Sequence, residues 1–142
     1  MLHTLTLNPM IEWVFPVKSH PAGENLRISG SIPQFTGKGV NVARVLTALG
    51  VPVCALFPAS GSLQKWGQEL LHKDGVPFKT IKSPTDLRAG FLIVDAEGNR
   101  QSFYEEGHRW ASEDTETLRH NLAQIWRKSR PEAVVLAGSL PP

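Results

Sequence analysis

Two short apolar runs constrain this chain more than any other feature: residues 51–57, between Gly50 and Pro58, and residues 133–137, ahead of Gly138. Runs of that length without polar alternation suit strands covered on both faces, as in a parallel sheet between helices. The segments around them carry helical patterns. Residues 40–49 place Val42, Val45, Leu46 and Leu49 on one side and stop at Gly50. Residues 63–73 place Leu63, Trp66, Leu70 and Leu71 at helical spacing and stop at Gly75. A third helix starts at Ser112, read as its cap, with Glu113, Asp114 and Glu116 in its first turn and Arg127, Lys128 and Arg130 in its last. Its buried stripe is Leu118, Leu122, Ile125 and Trp126. Residues 2–7 read as a first strand ending at Asn8-Pro9. Strands alternating with helices predict an α/β fold with a mostly parallel sheet and helices on its faces.

A second set of β-like segments lacks continuous apolar stretches. Residues 13–17 and 26–35, separated by His20-Pro21-Ala22-Gly23, read as solvent-facing strands of a hairpin or lid. Residues 89–95 and 100–105 flank Ala96-Glu97-Gly98-Asn99 and predict an antiparallel hairpin. With 142 residues, 41% of them apolar, the chain holds one core and one globular unit. Fifteen basic residues against thirteen acidic ones are scattered, which leaves no footprint for nucleic acid. No apolar run approaches the ~18 residues of a membrane span, and the N-terminus lacks the pattern of a signal peptide. The single cysteine, Cys54, lies inside an apolar run and reads as core packing. Five histidines show no metal-ligand spacing. These features describe a cytoplasmic protein without a metal site of its own.

The segment Phe35-Thr36-Gly37-Lys38-Gly39-Val40-Asn41 is a glycine loop that feeds directly into a helix. Its glycines let backbone amides approach a ligand, and the helix start behind them carries partial positive charge, which suits a polar or anionic ligand. Asn41 offers both a donor and an acceptor to neighbouring hydroxyls. A plain loop-to-helix connection is the other reading. The spacing of Gly37-Lys38-Gly39-Val40 is not that of a P-loop. A dinucleotide fingerprint fails for want of a third small residue and of an acid at the end of the next strand.

Four blocks occur in order: Thr4-Leu5-Thr6-Leu7-Asn8-Pro9, Gly23-Glu24 with Arg27, Gly37 through Arg44, and Gly138-Ser139-Leu140-Pro141-Pro142. Together they resemble the PfkB (ribokinase-like) carbohydrate kinases, in the branch containing 1-phosphofructokinase and tagatose-6-phosphate kinase, over the whole chain. The resemblance implies a ribokinase-like, Rossmann-like sheet with a small β lid over the sugar. It also implies transfer of the γ-phosphoryl of ATP, with Mg²⁺, to a hydroxyl of a phosphorylated hexose such as fructose 1-phosphate, fructose 6-phosphate or tagatose 6-phosphate. By the same resemblance Glu12 hydrogen-bonds the sugar, Gly37, Gly39 and Asn41 contact it, and Lys38 reaches toward the transferred phosphate. Arg88 grips the substrate phosphate with a guanidinium fork, and Arg27 is a weaker candidate for that work. Ser139 lies just past the carboxyl end of a parallel strand, where such sheets place ligands. Ordinary alternatives are a strand-edge cation for Arg88, a lid surface charge for Arg27 and a turn serine for Ser139.

The sequence departs from the family at three places. Glu12 stands where Asp is usual and reaches about 1.5 Å further. Thr36 replaces the glycine before the glycine pair, and His108-Arg109 replaces the proline that normally follows Glu106-Gly107. The family's catalytic base and phosphoryl-binding amides come from a Gly-Ala-Gly-Asp segment, which these residues lack. The resemblance therefore implies a truncated N-terminal, sugar-binding half, inactive alone, with a complementing C-terminal half as partner. A catalytically silent sugar-phosphate-binding module is the alternative, and a dinucleotide-binding domain a minor one. A last strand at an open sheet edge predicts self-association.

Overall fold

The computed structural model describes residues 1–19, 23 and 25–142. In chain order its elements are β1 (Leu2–Leu5), β2 (Met10–Pro16), β3 (Ile32–Thr36), α1 (Lys38–Ala48), β4 (Val53–Ala59), α2 (Ser62–Lys73), β5 (Phe78–Lys82), β6 (Arg88–Val94), β7 (Arg100–Tyr104), α3 (Ser112–Ser129) and β8 (Ala133–Leu136). They form two four-stranded sheets. The first runs β5-β4-β1-β8 and is parallel throughout. Every residue of β4 is buried, and its side chains alternate between two cores. Val53, Ala55, Phe57 and Ala59 meet Val40 and Ala43 of α1 and Leu71 of α2, while Cys54 and Leu56 meet Leu118 and Leu122 of α3. Helices thus cover both faces, which is why the sequence of β4 shows no polar alternation. Burial also raises the Cys54 thiol pKa, as expected of a packing residue.

The second sheet runs β3-β2-β6-β7. The pairs β2–β3 and β6–β7 are antiparallel, and β2–β6 is parallel, so the segment around residues 89–105 joins β2 and β3 in one sheet. Aromatic contacts moor it to the first layer: Trp13 lies 5.3 Å from Trp66 of α2, and Phe35 lies 4.5 Å from Phe57, centroid to centroid.

Several boundaries differ from the sequence reading. In β2 the residues Met10, Ile11 and Glu12 are buried, so the strand begins earlier than residue 13 and its first half is not solvent-facing. Only Ile32–Thr36 of residues 26–35 is strand; residues 25–31 are exposed and irregular. β5 was not expected, because Lys79 and Lys82 break its apolar pattern at a sheet edge where only Ile81 is buried. The buried side of α1 is Gly39, Val40 and Ala43, whereas Val45 is 59% and Leu49 71% exposed. Small residues face inward because α1 lies tight against the end of β1. Ser112 is the first residue of α3 and not its cap; the Asp114 carboxylate instead accepts from the Ala111 amide at 3.0 Å. No helix among the described residues is long and apolar enough to cross a membrane.

Candidate functional site

Three segments meet where β1 ends and α1 begins. Gly37 has φ 154, a conformation that favours glycine, and a Cβ there would lie 2.5 Å from Thr6 Cγ2. A Cβ on Gly39 would lie 2.5 Å from Thr6 Oγ1 and 2.8 Å from the Leu5 carbonyl oxygen. The glycines are therefore required first for seating the helix on the strand. A helix leaves its first amides without internal partners. Here the Val40 amide donates to Thr6 Oγ1 at 2.9 Å, and Asn41 N–H closes the first helical bond to the Gly37 carbonyl at 2.8 Å. The amides of Lys38 and Gly39 take no backbone partner among the described residues. Lys38 is exposed, beside the Gly138–Ser139 turn that follows β8.

Asn41 is fixed by its neighbours. Its carbonyl oxygen accepts from Thr36 Oγ1 at 3.3 Å and from Arg44 Nη1 at 2.7 Å. Arg44 is itself tied to Asp74 at 2.8 Å and to the Phe35 carbonyl at 2.9 Å. With the oxygen occupied, Asn41 presents its NH₂ group as a donor, and the expectation that it offers both donor and acceptor is corrected.

Arg88 sits half-buried at the start of β6. Its Nη1 donates to the Glu105 carbonyl at 2.8 Å and its Nη2 to the Asn8 carbonyl at 3.1 Å, while its buried Nε has no partner among the described residues. No carboxylate among the described residues forms an ion pair with it. Burial lowers its pKa against the opposing influence of Glu105 and Tyr104. A cation held only by backbone carbonyls is a natural anchor for an anion. It lines a cleft with Asn8, Ser83, Thr85, Asp86 and His108. Asn8 Nδ2 also donates to Ser139 Oγ at 3.3 Å, which brings the end of β8 to the same cleft.

Glu12 is 6% exposed. It pairs in register with Gln34 and Gly90, two rows along from Met10, which pairs with Thr36 and Arg88. Side chains two apart share a sheet face, so Glu12 and Arg88 lie on one face of the second sheet, and α1 begins just beyond the end of β3. The carboxylate accepts from Gln34 Nε2 at 2.6 Å and from the Tyr104 hydroxyl at 2.8 Å.

No family model matches the chain. Among curated proteins it is 29% identical to the ATP-dependent 6-phosphofructokinase isozyme 2 of Escherichia coli, over 99% of this chain and 45% of that protein. It is 27% identical to a tagatose-6-phosphate kinase of Staphylococcus epidermidis, over 99% of this chain and 44% of that protein. Among solved structures, Escherichia coli phosphofructokinase-2 in complex with fructose-6-phosphate superposes with a TM-score of 0.85 at 27% identity, over 99% of this chain and 46% of that one. These relatives are PfkB-family carbohydrate kinases, and the partial coverage is consistent with an N-terminal half. The chain spans less than half the length of these relatives.

Of the residues singled out in the sequence, the structure brings Glu12, Gly37, Lys38, Gly39, Asn41, Arg88 and Ser139 to one end of the two sheets. Arg27 stays apart, in the exposed segment between β2 and β3, and Glu24 and His20 lie outside the described residues. The sequence reading assigned no role to Asn8, Gln34, Arg44 or Tyr104. Asn8 had a signal in the Asn-Pro of the first block; Gln34 and Tyr104 had none, because their contact with Glu12 exists only through strand register.

Proposed function

We propose that this chain is the sugar-phosphate-recognising half of an ATP-dependent kinase acting on a phosphorylated hexose such as fructose 6-phosphate, tagatose 6-phosphate or fructose 1-phosphate. The observation that carries the reading is the shared sheet face of Glu12 and Arg88, a half-buried cation without a carboxylate ion-pair partner among the described residues, beside the start of α1. Arg88 is suited to the substrate phosphate and Glu12 to a sugar hydroxyl. The Asn41 NH₂ group would donate to a second hydroxyl. Lys38 and the amides of Lys38 and Gly39 would face the phosphoryl group supplied by ATP, where fixed donors favour developing negative charge. Mg²⁺ would arrive on the nucleotide phosphates.

Titration calorimetry tests the reading. Fructose 6-phosphate or its isomers should bind the wild-type chain, with affinity lower by about 10- to 100-fold in Arg88→Leu and intermediate in Arg88→Lys, which keeps the charge but not the fork. Equal binding by wild type and Arg88→Leu overturns it. In a coupled ATPase assay the chain alone should show no turnover, because it spans less than half the length of the kinases it resembles.

A further inference from the structure

One row of residues crosses all four strands of the second sheet. Glu12 pairs with Gln34 of β3 and with Gly90 of β6, and Gly90 pairs with Tyr104 of β7. Gly90 puts no side chain between Glu12 and Tyr104. The phenol ring fills that gap: a Cβ on Gly90 would come within 2.6 Å of Tyr104 Cδ1. Its hydroxyl reaches Glu12 Oε1 at 2.8 Å, while Gln34 Nε2 reaches Oε2 at 2.6 Å. Each oxygen of the buried carboxylate is thus fixed by a donor from a different strand. An ionised carboxylate has about four acceptor positions, so each oxygen keeps one for a ligand hydroxyl.

We propose that Tyr104, lying across Gly90, is a positioning residue that aims the Glu12 carboxylate and thereby sets which sugar hydroxyl the site accepts. The inference rests on the hexose-phosphate reading of the site. Glutamate has one more rotatable bond than aspartate, and its carboxylate samples more positions when free. Tyr104 and Gln34 remove that freedom before a ligand arrives. A fixed acceptor rewards a hydroxyl that meets it and penalises an epimer whose hydroxyl does not.

The chain has a single tyrosine, so phenolate absorbance reports on Tyr104 alone. Burial first, and then the Glu12 carboxylate, hold this phenol above its ordinary range, against the opposing influence of Ser102 and Arg88. Glu12→Gln should bring its titration down; an unmoved midpoint overturns the contact. Calorimetry with inorganic phosphate and with fructose 6-phosphate and tagatose 6-phosphate, which are epimers at C4, then reads the positioning role. Tyr104→Phe should weaken the preferred hexose phosphate about tenfold, compress the ratio between the two epimers, and affect inorganic phosphate far less. In a Glu12→Gln background the same change should cost nothing more. Equal losses for all three ligands, or additive losses in the double variant, overturn the proposal. Sugar phosphates that bind wild type no better than inorganic phosphate overturn the hexose-phosphate reading instead, and the phenol titration still decides the Tyr104–Glu12 contact.

Discussion

Gly39 sits at the tightest junction between fold and site. Its missing side chain lets α1 rest on β1, so that Thr6 can take up the Val40 amide. Gly39→Ala would drive a methyl group against Thr6 Oγ1 and the Leu5 backbone, and overpacking of that kind costs about 1–3 kcal/mol. We expect urea unfolding to show a loss of that size, with ligand affinity falling as the helix start shifts; unchanged stability would mean that α1 accommodates the methyl. The glycines at 37 and 39 were legible in the sequence as a loop opening a helix. Their packing role was not, because a sequence does not name the atom that stands where a Cβ would go. Asn41 gives the same lesson: its donor capacity is a property of the residue, but the loss of its acceptor follows from Thr36 and Arg44.

At the scale of elements, periodicity served best where one face is buried by many partners. β4, α2 and α3 follow their apolar patterns closely, since each packs over most of its length. It failed for α1, where close approach selects small residues, and for β5, an edge strand whose pattern Lys79 and Lys82 interrupt. β8 is the opposite edge. β1 covers one of its sides, and Val134 and Leu136 remain 41% and 63% exposed. An uncovered edge with apolar side chains invites pairing with another chain. The isolated chain should self-associate with rising concentration in light scattering, and Leu136→Lys should shift it toward monomer. A sharp monomeric wild-type peak would contradict this.

At the scale of the whole molecule, His3 lies at the centre of the parallel sheet, between Cys54 of β4 and Val134 of β8. It is fully buried, and neither ring nitrogen has a hydrogen-bond partner among the described residues. Burial, with Lys79 and the N-terminus, lowers its pKa from the ordinary 6.5. The folded state therefore binds this proton less readily than the unfolded chain. Its stability is complete above the ordinary histidine range and declines as the pH falls through it. Thermal unfolding should show wild type losing stability between neutral and mildly acidic pH, and His3→Leu losing less; parallel curves would exclude His3 as the cause. The sequence alone determined the three helices and every strand but β5, that the first sheet is parallel, and that a glycine loop opens α1, because those properties depend on local periodicity and on side-chain volume. Only the tertiary structure decided that β2 pairs with β6, that Arg88 is held by carbonyls, and that Tyr104 meets Glu12 across 92 positions of chain. Contacts so distant in sequence are set by strand register, and register is fixed by the packing of all the strands together.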